Sequence, residues 1–384
     1  MKDKIGIIVT FNISKAGGAP RVVVDLINAL KKMGKEVYLL NPFKLNFKDI
    51  EKFYGGVKID KIFCPRSIKS FFCRGGSLPR RLLKKEFKKF AKEVDIIIDT
   101  DGGIFHKYLP KNFNNSRYII WRISCVIPES ERPWIKRGLK SKIKMKLHFI
   151  LGSKKIIPSK NHKIYAIDEW TAKELNYLDL KAEKLNLYPE IKIENFLNKM
   201  KKKNQIIIFG RIAPNKNIEE GLKIFARVQE GYKNYNLIIL GGLTLESQDY
   251  IQKLMHLIKG LHLEQKVKII GDPSFEKLVD IVTQSKILLE SQKEVSLTMT
   301  SIEAMAAGCQ ILAYKKGGTY QDILENGKYG EGFLTIDEGA QKLEKIICDL
   351  EKGKGNIESI KRAKDFSQEN FIKRLKQILK ENGL

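Results

Sequence analysis

Ile206-Ile-Ile-Phe209 runs into Gly210-Arg-Ile-Ala-Pro-Asn-Lys216, and apolar residues at helical spacing follow from Ile218 to Val228. An apolar run, a glycine turn and a helical stripe in that order specify one β–α unit. Such a unit buries its strand only inside a parallel sheet covered by helices. Ligands of open α/β sheets bind at the carboxyl ends of the strands. Arg211 and Lys216 sit at that edge. Two cations beside a helix amino end suit a diphosphate.

The same alternation recurs along the chain. Ile5–Thr10, Glu36–Leu40, Asp95–Asp99, Tyr118–Trp121 and Lys163–Ile167 read as strands, with helices over 21–32 and 169–176. After a lysine-rich linker at 198–204 it restarts. Strands are expected over 206–209, 236–240, 267–270, 287–289 and 310–314, and helices over 218–229, 248–258, 275–284 and 300–307. The pattern predicts an α/β chain of two Rossmann-like parallel-sheet domains, 1–195 and 196–366, with a helical tail over 367–384. No apolar run reaches the roughly 20 residues that span a bilayer. The start, Met1-Lys-Asp-Lys-Ile-Gly-Ile-Ile-Val-Thr10, reads as a buried strand and not as a signal peptide.

Charge divides the halves. Residues 1–200 hold 42 Lys and Arg against 20 Asp and Glu, a balance of +22, whereas 201–384 hold 29 against 24. The first half therefore expects a polyanionic partner. Two basic amphipathic stretches lie in it, Arg80–Val94 and Trp134–Phe149. Each pattern fits either packing on its own core or docking on an anionic membrane. The five cysteines are scattered, without disulfide or metal-site spacing, which fits a reducing cytoplasm.

Glycines mark three loops where strands should end: Gly17-Gly18, Gly210 and Gly317-Gly318. Glycine lets backbone N–H groups approach a ligand. The GxGxxG and GxxxxGK[ST] spacings are absent, which sets aside an ordinary dinucleotide fold and a P-loop. A second anchor runs from Ser291 through Glu294, Ser296, Leu297, Thr298 and Glu303 to Gly308. A carboxylate such as Glu303 can accept hydrogen bonds from a ribose diol.

With those segments the chain resembles the retaining GT-B glycosyltransferases of family 4, the group 1 glycosyl transferases. Ala16-Gly-Gly-Ala-Pro-Arg21 matches the family's first glycine loop, and Gly210, Arg211 and Lys216 match its G-R-x-x-x-x-K loop. Ser291, Glu294 and Glu303 to Gly308 match S-x-x-E…E-A-M-A-x-G, and Gly317, Gly318 and Asp322 match the glycine pair with its acidic follower. The chain departs from the family in three ways. Eight residues separate Glu294 from Glu303 instead of seven, so Val295 holds the strict position. Ser296-Leu297-Thr298 replaces the usual phenylalanine-glycine. Ile120-Trp-Arg-Ile-Ser124 lacks the usual histidine.

The resemblance implies two domains facing across a cleft, with the terminal helix returning to the first. It implies transfer of a hexose from a GDP- or UDP-linked sugar, with retention, to a glycan or lipid-linked acceptor. Arg211, Lys216 and Glu294 are the expected catalytic residues. Gly17, Gly18, Gly210, Ser296, Leu297, Thr298 and Glu303 are expected to bind the donor. Asp99, Asp101 and Arg122 are expected to line the acceptor cleft. Asp99-Thr-Asp101 spells a metal motif but lies in the acceptor half, and no metal or other cofactor is expected. The alternatives are a GT-B-fold epimerase or hydrolase, and a basic nucleic-acid-binding protein; the chain carries no recognised nucleic-acid motif, and no nucleic acid is expected. The expected location is cytoplasmic, peripheral on the inner face of the membrane. The charge of the first half generates a test. Each Lys or Arg near an anionic surface contributes on the order of 1 kcal/mol, screened by salt. The protein is expected to co-float with acidic vesicles at low salt and to release as salt rises; absence of co-flotation contradicts it.

Overall fold

The computed structural model describes the chain except residues 1–2, 66–76, 101, 104, 124–161, 177–178, 198–199, 245–246 and 356, with 77–82 described by backbone alone. It forms two compact units, Met1–Glu190 with Phe371–Leu384, and Ile191–Asn370. The first carries β1 (Lys4–Ile8), α1 (Gly18–Lys32), β2 (Glu36–Leu40), α2 (Phe47–Tyr54), β3 (Lys61–Phe63), α3 (Ser77–Phe90), β4 (Ile96–Asp99), β5 (Tyr118–Arg122), β6 (Ile164–Ala166) and α4 (Glu169–Asn176). Its strands lie side by side in the order β3-β2-β1-β4-β5-β6, all parallel. The runs Ile-Ile-Ile and Tyr-Ile-Ile-Trp are buried throughout. Such continuous apolar runs are what a sheet covered on both faces requires.

Helix α3 settles one of the two amphipathic stretches. Leu83, Phe87 and Phe90 are fully buried and Val94 nearly so, in one cluster with Phe63 and Phe105. Phe90 meets Phe63 edge-on at 5.5 Å between centroids. Its ring also lies over β1, where a Cβ at Gly6 would collide with it. The apolar face of this stretch is therefore part of the core, and among its described residues Lys84, Lys85, Lys88, Lys89 and Lys92 face solvent. The other stretch, Trp134–Phe149, lies outside the described residues.

The second unit carries β7 (Gln205–Phe209), α5 (Ile218–Gln229), β8 (Asn236–Gly241), α6 (Ser247–Gly260), β9 (Val267–Gly271), α7 (Phe275–Gln284), β10 (Ile287–Glu290), α8 (Met299–Ala306), β11 (Gln310–Tyr314), β12 (Glu331–Phe333), α9 (Ile336–Glu351) and α10 (Ile357–Ala363). The strand order is β12-β11-β10-β7-β8-β9, again all parallel. Ile218, Leu222, Phe225 and Val228 of α5 share a core with Tyr250 and Leu254 of α6 and Leu343 and Ile347 of α9. The chain order reverses between β7 and β10, which makes their carboxyl ends the binding crevice of such a sheet.

The terminal helix α11 (Gln368–Glu381) passes from one unit to the other in sequence. From Phe371 on it packs on the first unit. The Phe371 ring lies 5.9 Å from Trp121, Arg374 sits over Tyr188 at 5.0 Å, and Asn382 donates to the Tyr165 hydroxyl at 3.1 Å. The lysine-rich stretch before β7 is not a free linker. Lys202 donates its ammonium protons to the carbonyls of Ser285 at 2.7 Å and Ala307 at 2.6 Å. Those carbonyls close α7 and α8, where a cation is favoured by the helix dipoles.

Glycines fix how closely β7 and β8 end. Gly210 donates to Leu240 O at 3.0 Å, and Ile212 donates to Gly242 O at 2.9 Å. A Cβ at Gly241 would fall inside the van der Waals radius of the Gly210 carbonyl oxygen. Gly241→Ala is therefore expected to cost about 1–3 kcal/mol or more, the range for overpacking. It should be read as a lowered denaturation midpoint; an unchanged midpoint contradicts the close approach.

Candidate functional site

The loops after β7 and β10 are stitched together in the second unit. Pro214–Lys216 forms one 3-10 turn, and Asn217, at φ 52, turns the chain into α5. The Asn217 amide donates to Ser291 O at 3.1 Å, and the Ser291 hydroxyl donates to Lys216 O at 3.3 Å. Gly210, Arg211, Lys216 and Glu290 line one small pocket over the ends of these strands.

Lys216 lies across Gly210. A Cβ there would stand 3.1 Å from Lys216 Cε and 3.3 Å from Nζ, and φ at Gly210 is +148°. Glycine at 210 thus supplies both the backbone conformation and the space for the lysine. Lys216 donates to the Gln292 side-chain oxygen at 2.6 Å. Burial pushes its ammonium below the usual lysine range; Glu290 pulls it back up, and Arg211 pushes it further down. Arg211 itself is exposed.

The helix amino end is less of an anion site than its place suggests. The first turn of α5 holds Glu219 and Glu220. Glu219 accepts from the Tyr250 hydroxyl and from Lys253 at 3.0 Å, and Glu220 pairs with Lys293 at 2.6 Å. These carboxylates already complement the helix dipole. Positive charge for an anion in the pocket comes from Arg211 and Lys216.

The loop after β10 zips onto the glycine-pair turn. Glu294 stands at φ 50, its N–H donates to Lys316 O at 2.8 Å, and Gly318 N–H donates to Val295 O at 2.7 Å. Thr298 N–H donates to Thr319 Oγ1 at 3.2 Å. Leu297 and Thr298 are buried and Ser296 is half-buried. Glu303 on α8 is buried too, 5% exposed, and is not a solvent-facing helix carboxylate. Glu290 is the residue that sequence pattern passes over. It falls just after the strand expected over 287–289, where the pattern assigns it no role, yet it is a buried carboxylate that accepts from Thr298 Oγ1 at 3.0 Å.

Residues 189–373 match the family model described as glycosyl transferases group 1. They belong to that family. The chain is 26% identical over 191 residues to a GDP-Man:Man(3)GlcNAc(2)-PP-Dol alpha-1,2-mannosyltransferase of Dictyostelium discoideum, covering 47% of this chain and 37% of that protein. It is 26% identical over 164 residues to the O-antigen chain mannosyltransferase RfbU of Salmonella typhimurium, covering 42% of this chain and 43% of that one. The chain thus spans less than half the length of both. An uncharacterized glycosyltransferase of Haemophilus influenzae matches over 366 residues at 26% identity, 91% of each. Among solved structures, a glycosyltransferase from Rickettsia africae superposes with TM-score 0.72 at 17% identity, over 99% of this chain and 98% of that one. Anabaena HepE in complex with UDP and glucose gives 0.68 at 16% identity, over 98% and 99%. The fold is GT-B.

Outside the group 1 glycosyl transferase segment, Gly17 caps α1 and Gly18 opens it, and the Tyr54 hydroxyl donates to Gly17 O at 3.2 Å. Asp99 is fully buried and takes the Tyr118 hydroxyl, so this expected cleft residue is an interior one. Asp101 lies outside the described residues. Arg122 is half-buried, its guanidinium filling the space a side chain at Gly102 would need.

Gly210→Ala should displace Lys216 while the sheet survives. Misplacing a positioned group by about 1 Å can cost about 10²-fold in rate. Turnover is expected to fall on that scale with the thermal midpoint nearly kept; unaltered turnover contradicts the need for this close approach.

Proposed function

We propose that the protein is a glycosyltransferase that moves a hexose from a nucleotide diphosphate sugar to a glycan or lipid-linked acceptor, with retention at the anomeric carbon. The observation that carries this reading is the pairing of Arg211 and Lys216 over the β7–β10 crevice, inside a group 1 glycosyl transferase segment. Breaking a sugar–phosphate bond leaves growing negative charge on the diphosphate. Cations already held at the site stabilise that charge with little reorganisation. In this reading the leaving group needs no metal, because Arg211 and Lys216 supply the charge. Glu303 accepts the ribose hydroxyls, Glu294 orients the sugar, and the backbone at Gly210 admits the phosphates.

The mannosyltransferase relatives favour a GDP-linked mannose as donor, and the UDP complex of HepE keeps UDP-linked hexoses in play. The PP-Dol and O-antigen chains named for those relatives support a lipid-linked or polysaccharide acceptor, which the first unit would take. Among the described residues no helix is long and apolar enough to cross a membrane. Attachment to an anionic surface would rest on the charge of the first half and on the exposed lysines of α3, since its apolar stripe is in the core.

Arg211→Ala and Lys216→Ala are each expected to lower turnover by about 10²–10³-fold with the fold intact, by analogy with loss of an oxyanion donor. A thermal-shift screen with GDP and UDP identifies the nucleotide, since a ligand at ~100 times its Kd adds about 2.7 kcal/mol. Near wild-type turnover in both variants contradicts the diphosphate assignment. The pH dependence has a definite sign. Lys216 is held below the ordinary lysine value of 10.5. Its ammonium is lost as pH rises through that lowered value, so kcat/KM should fall on the alkaline side earlier than an ordinary lysine would make it. The same limb should be missing from the residual activity of Lys216→Ala.

A further inference from the structure

The loop after β10 departs from the family pattern, and it holds a buried carboxylate that the proposed transfer does not use. Glu290 ends β10 and is 6% exposed. One oxygen, Oε1, accepts the Gln292 backbone N–H at 3.3 Å. The other, Oε2, accepts from Thr298 Oγ1 at 3.0 Å. Thr298 Oγ1 also lies 2.7 Å from Ser301 Oγ and 3.1 Å from Thr319 Oγ1. Gln292 in turn holds Lys216 Nζ at 2.6 Å. The carboxylate therefore ties together the phosphate-side lysine, the loop after β10, the start of α8 and the glycine-pair turn.

A buried carboxylate is costly unless a cation and hydrogen-bond donors compensate it. Lys216, on the loop after β7, lines the same small pocket as Glu290 and is the cation whose charge it bears on. The exchange works in the other direction too, because a half-buried ammonium next to Arg211 needs an anion to stay charged. We propose that Glu290, with Gln292, is a positioning residue for the diphosphate site. It fixes Lys216 over the pocket and keeps it protonated until the diphosphate takes over as its counter-ion. Glu290 does not touch the reacting atoms. It acts through Lys216, and so this inference rests on the diphosphate reading of that lysine.

The charged groups that bear on Lys216 are Glu290 on β10 and Arg211 on the loop after β7. Glu220 on α5, also close to this loop, is engaged by Lys293 from the β10 side at 2.6 Å. Arg211 is a fixed positive charge, so the carboxylate that answers it is Glu290. Removing the charge at 290 while keeping the shape therefore isolates the effect. Glutamine retains an oxygen for one of the two donors and presents an amide to the other side.

The test is calorimetric binding of GDP and of UDP to the full chain from neutral to alkaline pH, for wild type, Glu290→Gln, Gln292→Leu and Lys216→Ala. Thermal midpoints confirm that each variant folds. In Glu290→Gln the alkaline loss of affinity is expected to move to lower pH by about one unit or more, the scale of one nearby opposite charge. In Gln292→Leu affinity is expected to fall at neutral pH, with the alkaline loss left where it was. A purely structural role for Glu290 would lower the thermal midpoint and leave the pH profile in place. A Glu290→Gln profile that superimposes on wild type, while Lys216→Ala weakens binding, overturns this inference alone. Lys216→Ala binding like wild type, or a protein that binds neither nucleotide, overturns the diphosphate reading and this inference with it.

Discussion

The second unit depends on β7 pairing with β8 on one side and β10 on the other. Ile206 and Ile207 carry both registers at once, against Leu237 and Ile238 of β8 and against Ile287 and Leu288 of β10. That double pairing brings segments about eighty residues apart to one edge. The loop after β7 then meets the loop after β10, and Asn217, Ser291, Gln292 and Lys216 bond across the gap. A parallel sheet can wind only so that its connections cross over the faces, which leaves its strand ends open at the reversal. The pocket follows from the topology before any particular side chain is chosen.

Within that crevice, glycine and lysine are one feature and not two. Gly210 has no side chain because Lys216 occupies its place, and Gly241 has none because the Gly210 carbonyl occupies that one. The lysine is thereby held close to backbone, away from bulk water, and next to Arg211. The two cations repel each other, and Lys216 also bears a desolvation cost. In the proposed function a bound diphosphate would offset that cost, and Glu290 offsets part of it beforehand.

Much of this was legible in the chain. The apolar run before Gly210 and the helix over 218–229 are where spacing put them. The tail helix was equally plain, because Phe371, Leu375 and Leu379 recur on one face. What was not legible depends on neighbours that are distant in sequence. Strands β3 and β12 have three residues each, too few for a period, and β12 carries Gly332 where the Tyr320 ring packs. Asp99 reads as a strand-end acid, and only Tyr118 from the adjacent strand makes it an interior residue. Lys202 reads as part of a solvated linker until the ends of α7 and α8 are seen to converge on it. The basic stripe of α3 reads equally as a membrane face or a core face, and Gly6 with Phe63 decides for the core.

Electrostatics gives the two sequence halves different tasks. The first half keeps +22 of the net charge, while the second balances 29 cations against 24 anions. In the second unit several cations are matched: Lys253 by Glu219, Lys293 by Glu220, Lys315 by Glu338. Matched surface pairs contribute little energy each, but they remove competing positive charge from the surroundings of the pocket. An incoming anion then meets a field concentrated at Arg211 and Lys216, not a general basic surface. Any steering toward a broad anionic partner would rest on the excess positive charge of the first half and would be salt-sensitive. In the proposed function this separation would let one protein take a small dianion at one sheet edge and a broad polyanionic surface elsewhere.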